Sequence, residues 1–243
     1  MSAREHIPRN ENDSVQNAAN CAMPSRPQYV VFAGVNGAGK TTLYQSGFWR
    51  RDEADNALAR VNPDEILKAA KANPDSIKSQ LEAGRKAVDL VERYFEKRVS
   101  FNQETTLTGQ SALARLKRAH ELGYEVRLHY VGVETPDVAI ERVRHRADLG
   151  GHFIKEKDVR RRFERSLLNF AQCLDFCDEV RVYDNTEELT RIAVWKRGTL
   201  CWWSGHKAAS SWLLRAMTSE EWRKSDERPR ANKGTIPQDR DQR

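Results

Sequence analysis

The segment FAGVNGAGKTTLY, residues 32–44, constrains this chain more than any other feature of its sequence. It overlaps a short apolar run, QYVVFAGV at residues 28–35, which predicts a buried strand, and a helix is expected to begin at about Lys40. Gly34, four further residues and then Gly39-Lys40-Thr41 place a glycine-rich turn between the two. Glycines let backbone N–H groups approach phosphate oxygens, and the helix adds the positive end of its dipole. The sequence therefore predicts a loop that binds a nucleoside triphosphate.

Individual positions in this loop have predicted roles. Lys40 is expected to reach the β- and γ-phosphates, and the Thr41 hydroxyl is expected to ligate Mg²⁺. The predicted cofactors are thus ATP and Mg²⁺. The other candidate nucleotide-binding residues come from the loop and the first helical turn: Gly34, Asn36, Gly37, Ala38, Gly39 and Thr42.

Predicted strands and helices alternate along the chain after this loop. Short strands are expected near residues 59–61, 124–133 and 179–185, and residues 98–109 are expected to form a strand that breaks into a polar loop. Helices are expected near 75–98, 110–122, 136–148 and 156–171. The clearest helix, at 75–98, has apolar residues at helical spacing: Ile77, Leu81, Val88, Val91 and Phe95. The alternation predicts an α/β fold with a parallel sheet covered by helices on both faces. With the phosphate loop after the first strand, this is the architecture of P-loop NTPases, in a nucleoside-kinase-like form.

Composition divides the chain into three parts. We expect a flexible polar arm at 1–26, a kinase domain at 27–206, and a short helix with a charged flexible tail at 207–243. The net charge is +6, but acidic and basic residues are interspersed, which favours local binding of a polyanionic small molecule over nucleic acid. No apolar run approaches the ~20 residues that span a bilayer. The amino terminus lacks the apolar core of a signal peptide, so we expect a cytoplasmic protein, or one delivered into another cell.

Motifs elsewhere in the chain indicate which class of nucleotide-binding protein this is, and therefore what happens to the γ-phosphate. A GTPase would carry an N/T-K-x-D motif, which the sequence lacks. A kinase needs a carboxylate that orients the acceptor hydroxyl, and Asp64 follows the short strand at 59–61 in the segment ARVNPDEIL. Alternatively, Asp64 and Glu65 merely stabilise the start of a helix that Asn62 caps.

Two further sets of polar residues are candidates for binding the acceptor and the phosphates. Glu104, Thr105 and Thr106 follow the third strand and could hold sugar or nucleotide hydroxyls. Alternatively, they form an ordinary polar loop after a strand. Arg146 and the run Arg160–Arg162 flank the glycines at 150–151, which suggests a helical lid that carries arginines to the phosphates. Arg162 lies on one flank of the apolar stripe of its helix, and Arg161 lies almost opposite the stripe. Spacing alone therefore does not show which of the two contacts the phosphates, and a charged helix that only faces solvent is the alternative.

Six segments in order resemble the zeta-toxin family of P-loop kinases, in particular its short members: VFAGVNGAGKTTLY, RVNPDEI, ETTLTG, GYEVRLHYVGV, RADLGGHFI and DVRRRFERSLLNF. The resemblance runs from about residue 28 to 186. It implies a kinase that uses ATP and Mg²⁺, phosphorylates UDP-N-acetylglucosamine on the sugar, and is held inactive by an antitoxin protein. Some relatives are injected effectors that phosphorylate a nicotinamide dinucleotide instead.

The resemblance also implies roles for individual residues. Lys40 and Thr41 would serve ATP and Mg²⁺, and Asp64 resembles the catalytic aspartate. Glu104 and Thr106 resemble acceptor contacts. Arg146 and either Arg161 or Arg162 resemble the arginines that clamp the phosphate.

Two features depart from the larger toxins. The chain is short between Asp64 and Glu104, with no segment that would read a uracil base. It also carries a tryptophan-rich stretch, predicted either to pack on the sheet edge or to bind a partner: Trp195, Trp202, Trp203, Trp212 and Trp222. The sequence thus predicts a toxin that phosphorylates a nucleotide-linked small molecule. A nucleotide-binding regulator and a nucleic-acid end kinase are the alternatives.

Overall fold

The computed structural model describes residues 26–73, 76–151, 153–205 and 211–217. The predicted arm, apart from its last residue, and most of the predicted tail lie outside these ranges, so the three-part division stays a prediction. Within the described ranges the strands are β1 Gln28–Ala33, β2 Ala59–Val61, β3 Phe101–Thr105, β4 Glu125–Gly132, β5 Glu179–Asp184, β6 Thr190–Lys196 and β7 Thr199–Trp203. The helices are α1 Lys40–Ser46, α2 Pro63–Ala69, α3 Ile77–Glu96, α4 Gln110–Glu121, α5 Pro136–Asp148, α6 Glu156–Cys173 and α7 Ser211–Ala216.

These strands form one sheet in the order β2-β3-β1-β4-β5-β6-β7. The pairs from β2 to β5 are parallel, whereas β6 and β7 add an antiparallel hairpin at one edge. Parallel strands place their carboxyl ends at the same edge of the sheet. The loops that follow β1, β2, β3 and β5 therefore meet there, and they carry most of the candidate site residues.

Helices cover both faces of the sheet, and the predicted α/β class is confirmed. Tyr29 and Val31 of β1 belong to one hydrophobic core, which also includes buried side chains of α3, α4, α6 and α7. Val30 and Phe32 belong to a second core, which includes side chains of α1 and α5. Burial on both faces explains the unbroken apolar run of β1.

The turn from β2 into α2 forms as the sequence predicts. The Asn62 side chain accepts a hydrogen bond from the Asp64 backbone N–H at 2.9 Å, and Pro63 occupies the first helical turn. This cap uses one of the donors that a helix start leaves unpaired. It also fixes Asp64 at the carboxyl edge of the sheet.

The predicted apolar stripe of α3 is correct only near the carboxyl end of the helix. Val91 and Phe95 are buried, but Ile77, Leu81 and Val88 are exposed. Helix α3 packs against α2 and the edge strand β2, and its first buried side chains are the small ones of Ala83 and Ala87. Helical spacing reveals an apolar stripe, but it does not show where a long helix extends past its sheet.

Among the helices of the described residues, none combines the length and the apolar composition of a membrane-spanning segment.

A buried ion pair lies near the amino ends of β1 and β4, opposite the candidate site. The guanidinium of Arg127 contacts both carboxylate oxygens of Asp55 and also donates to Gln28 Oε1 at 2.6 Å. Both charged side chains are only 1% exposed. Burial raises the pKa of Asp55, but hydrogen bonds from Arg127 and from the Arg51 backbone N–H outweigh it, so the pKa lies below the ordinary 3.8.

We expect Arg127→Met to lower the free energy of unfolding by about 3–5 kcal/mol, because it leaves a buried carboxylate without its partner. Lys117→Ala, which removes an exposed pair with Glu121, is the control and should change stability by less than about 0.5 kcal/mol. Urea unfolding measures both. Because the pKa of Asp55 is depressed, the stabilisation is present above pH 3.8 and is lost as the pH falls below it. An Arg127→Met protein as stable as wild type would contradict this account.

Candidate active site

The glycine-rich loop between β1 and α1 packs closely against its neighbours. Gly34 has φ +138°, and a Cβ there would lie 2.1 Å from the Val131 carbonyl oxygen. Gly39 has φ +102°, and a Cβ there would lie 2.1 Å from Asn185 Nδ2. Only glycine tolerates both the left-handed backbone and this packing. The loop thus has the conformational freedom and shape of a phosphate cradle, which fits ATP.

Lys40 is a buried amine at the start of α1, with a residue exposure of only 7%. Its Nζ donates to the Val35 carbonyl at 3.1 Å and lies 4.0 Å from Glu104 Oε1. Burial lowers its pKa, Glu104 and Asp64 oppose this, and Arg146 and Arg162 lower it further. Positive charge is therefore concentrated here, where the phosphates of a nucleotide would compensate it.

Glu104, predicted as an acceptor contact, lies beside the predicted metal-ligating hydroxyl. The Thr41 hydroxyl donates to Glu104 Oε1 at 3.3 Å. Arg60 Nη2 and Asn62 Nδ2 each donate to Glu104 Oε2 at 3.0 Å. A hydroxyl and a carboxylate at this spacing are oxygen ligands of the kind that Mg²⁺ binds, so the residues fit the predicted metal.

A cavity of about 170 Å³ lies next to this loop. Its lining combines residues from the loop, α2, α3, α5 and the lid: Asn36, Pro63, Asp64, Leu67, Gln80, Ala83, Arg146, Ile154 and Arg162. The fold thus brings Asp64 and two cationic side chains to one concave surface. This is the arrangement required if a hydroxyl is to be oriented near a phosphate.

The two lid arginines that the sequence left open differ in direction. Arg162 Nη1 donates to Asn36 Oδ1 of the phosphate loop at 2.9 Å. The Arg161 side chain is 54% exposed and pairs with Asp158 of its own helix at 2.7 Å. Arg162 is therefore the one that lies at the cavity.

The remaining candidate residues are engaged locally or lie on the surface. Thr105 Oγ1 accepts from the Leu107 backbone N–H at 3.1 Å, and the Thr106 and Thr108 hydroxyls are 3.0 Å apart. These contacts shape the loop after β3, and in the described ranges neither Thr105 nor Thr106 lines the cavity of Asp64. Thr42 is exposed on the first turn of α1.

Sequence reasoning missed two residues that support the site. Arg60 bridges Glu104, Asn102 and Glu65, and its guanidinium lies 3.5 Å from the ring centroid of Tyr44. Asn185 Nδ2 donates to the Ala38 carbonyl of the phosphate loop at 2.8 Å. A polar side chain within the short strand β2 and a polar residue directly after β5 were the available signals.

We expect Lys40→Met to stabilise the protein without nucleotide by about 1 kcal/mol, since an apolar side chain replaces a buried charge. The pKa of Lys40 is lower in the folded state, so the wild type gains stability as the pH rises towards the ordinary 10.5, and the variant lacks this gain. The variant should also lose stabilisation by ATP. Urea unfolding with and without ATP and Mg²⁺ measures these effects, with exposed Lys86→Met as the control. A large loss of stability would instead make Lys40 a structural residue.

The chain is similar in sequence or in fold to several known proteins. A protein from Haemophilus influenzae, described as uncharacterized, is 33% identical over 135 residues, which is 55% of this chain and 91% of that protein. The PezAT toxin–antitoxin structure from Streptococcus pneumoniae has a TM-score of 0.51 and 17% identity, over 68% of this chain and 70% of that chain. The AvrRxo1-ORF1:AvrRxo1-ORF2 complex with sulphate ions gives a TM-score of 0.58 and 16% identity, over 76% of this chain and 63% of that one.

The same AvrRxo1 complex solved with ATP gives a TM-score of 0.52 and 16% identity, over 70% of this chain and 58% of that chain. At these identities the structural matches establish the fold. The family model described as Zeta toxin matches residues 12–197, well over half of the chain. The resemblance predicted from the ordered motifs is confirmed, and the chain belongs to the Zeta toxin family.

Proposed function

We propose that this protein is a phosphotransferase of the zeta-toxin type that uses ATP and Mg²⁺ and acts as a toxin. It would transfer the γ-phosphoryl group to a hydroxyl of a nucleotide-linked small molecule. One observation carries the proposal: Asp64 of α2 and Arg162 of the lid line one cavity, and both lie close enough to Lys40 of the phosphate loop to shift its pKa. Family membership supports the kinase class, and the similar fold solved with ATP supports the nucleotide.

The phosphate loop would hold the nucleotide. Backbone N–H groups around Gly37–Gly39 would bind phosphate oxygens, and Lys40 would leave the Val35 carbonyl to contact the terminal phosphates. Mg²⁺, when bound, supplies positive charge that neutralises the phosphates. Thr41 and Glu104 would hold it, and Arg60 and Asn62 orient the Glu104 carboxylate for that role.

The transfer step follows from the residues that line the cavity. The acceptor oxygen bonds to the γ-phosphorus, the bond from that phosphorus to the bridging oxygen breaks, and ADP leaves with the electron pair. Asp64 orients the acceptor hydroxyl and takes its proton. Arg146 and Arg162 neutralise charge on the transferring group. This electrostatic stabilisation is stronger inside a cavity than in bulk water.

The acceptor class rests on the family. A sugar nucleotide such as UDP-N-acetylglucosamine is the first candidate, and a nicotinamide dinucleotide is the second. The cavity beside Asp64 suits the reacting sugar rather than the whole acceptor, since ligand sites for complete drug-sized molecules are about 300–1,000 Å³. Thr105 and Thr106, with Glu104 beside them, are proposed to contact the rest of the acceptor. PezAT is a toxin–antitoxin system, which supports an antitoxin as the protein partner.

A mass-spectrometric panel tests the activity and identifies the acceptor. The protein is incubated with ATP, Mg²⁺ and a set of sugar nucleotides, dinucleotides and oligonucleotides. We expect one small molecule to gain the mass of a phosphoryl group. We expect Asp64→Asn to bind ATP normally but to transfer the phosphoryl group about 10²–10⁴-fold more slowly, because no carboxylate remains to take the proton of the substrate hydroxyl. ATP binding with no product would favour a nucleotide-binding regulator, label on an oligonucleotide would favour an end kinase, and a fully active Asp64→Asn would remove Asp64 from the mechanism.

A matched pair of lid variants tests the phosphate clamp. Arg162→Ala should lower kcat by about 10²-fold, because it removes a cation that contacts the phosphate loop and lines the cavity. Arg161→Ala, one residue away and exposed, should stay within about twofold of wild type, as exposed substitutions generally do. Steady-state kinetics on the acceptor found by the panel measures both. Equal losses in the two variants would show that the lid acts through its overall charge and not through one directed side chain.

A further inference from the structure

The Asn185 side chain donates a hydrogen bond to a backbone carbonyl of the phosphate loop. Its Nδ2 donates to the Ala38 carbonyl at 2.8 Å, and its backbone N–H donates to the Gly132 carbonyl at the end of β4 at 2.9 Å. A Cβ on Gly39 would overlap this amide. In a loop that binds phosphate through its N–H groups, the carbonyls must point the other way, and a donor behind them stabilises that arrangement.

The turn that carries Asn185 is held by its neighbours. Asp184 accepts from the Thr186 backbone N–H at 3.1 Å and from the Thr186 hydroxyl at 2.8 Å. Arg142 of α5 donates to the carbonyls of Asn185 at 2.6 Å and of Thr186 at 2.9 Å. The position of the Asn185 amide therefore depends on the position of Asp184.

Asp184 is in turn anchored by α7. Trp212 Nε1 donates to Asp184 Oδ1 at 2.7 Å, and Trp212 is 0% exposed. Its ring lies against Gly132, where a Cβ would fall 2.3 Å from the indole. Thus two of the attachments of the Asn185 turn, Asp184 and the Gly132 segment, are in contact with one tryptophan.

Two contacts with the segment after β4 hold α7 in place. Ser211 Oγ donates to Glu134 Oε1 at 2.9 Å, and Arg215 Nη2 donates to the Glu134 carbonyl at 3.0 Å. Helix α7 lies beyond residues 12–197, the range that the family model matches. Since Trp212 is fully buried, the partner-binding alternative for the tryptophan-rich stretch does not apply to this residue, and Trp222 lies outside the described ranges.

We propose that Asn185 and Trp212 are positioning residues for the ATP-binding loop, and that α7 is a support for this loop outside the family-matched region. The inference rests on the proposed function only in that the loop binds ATP. The order of contact is Trp212 to Asp184, then through the adjacent Asn185 to Ala38. Neither residue lines the cavity that contains Asp64, so both would act on nucleotide affinity through the loop.

Binding of a fluorescent ATP analogue, mant-ATP, in the presence of Mg²⁺ tests this proposal. Asn185→Ala and Trp212→Phe should each raise its Kd about fivefold, since each removes one hydrogen bond in the series. The matched controls are Glu187→Gln, an exposed residue close to the same turn, and Trp202→Phe, a tryptophan on β7, and both should bind as wild type does. Asn185→Ala should keep the urea midpoint of the controls, which separates a positioning role from a structural one.

The double variant shows whether the two residues act through the same turn. If they do, Asn185→Ala combined with Trp212→Phe should raise Kd by little more than Asn185→Ala alone, instead of multiplying the two effects. Asp184→Ala, which removes both acceptor oxygens, breaks the contact with Trp212 from the other side should Trp212→Phe fail to fold. Multiplying effects, or a normal Kd in Asn185→Ala, would overturn the proposal.

The readout separates this inference from the proposed kinase activity. A wild-type protein that binds mant-ATP but transfers no phosphoryl group would reject the kinase, while weaker binding by the variants would still support the positioning role. A wild-type protein that does not bind mant-ATP would overturn both.

Discussion

Close packing of a glycine-rich loop against two neighbouring strand ends is the constraint on which this site depends. A Cβ atom on Gly34 would lie 2.1 Å from the Val131 carbonyl oxygen, and one on Gly39 would lie 2.1 Å from the Asn185 amide nitrogen. The absence of Cβ atoms lets the loop be held from behind while its N–H groups stay available in front. The parallel sheet then determines what lies around it, because loops from β1, β2, β3 and β5 open at the same edge.

Electrostatics at this edge are arranged for a polyanion. Lys40 is buried with Arg146 and Arg162 nearby, and its pKa is lowered by burial and by those cations. Glu104 counters part of this charge and is itself held by Arg60. Such a site is less stable when empty than an apolar one would be, and it becomes favourable when phosphates arrive. The same surplus of positive charge would stabilise the charge that develops during transfer.

A buried ion pair that stabilises the fold and the residues proposed to carry out the chemistry lie at opposite ends of the sheet. The Asp55–Arg127 pair is buried near the amino ends of β1 and β4, far along the strands from the phosphate loop. The carboxyl end carries the groups that a substrate would satisfy. Helix α7 contributes to both the fold and the proposed site, because Trp212 is part of the hydrophobic core while its indole N–H donates to Asp184 in the turn that contacts the phosphate loop.

Local patterns in the sequence were sufficient for most of the fold and for part of the site. The phosphate loop, the capped turn before Asp64 and the alternation of strands and helices each depend on residues that are near one another in the chain. Periodicity and capping are local, so they could be recognised without coordinates, and so could the family.

Tertiary structure decided the features that depend on distant contacts. Only the packing of the lid shows that Arg162, rather than Arg161, reaches Asn36, because both follow the same helical pattern. Only the pairing of β2, β3 and β1 brings Glu104 to Thr41, and only the docking of α7 brings Trp212 to Asp184. A side chain's partner across the fold depends on register and helix rotation, which residue spacing along the chain does not specify.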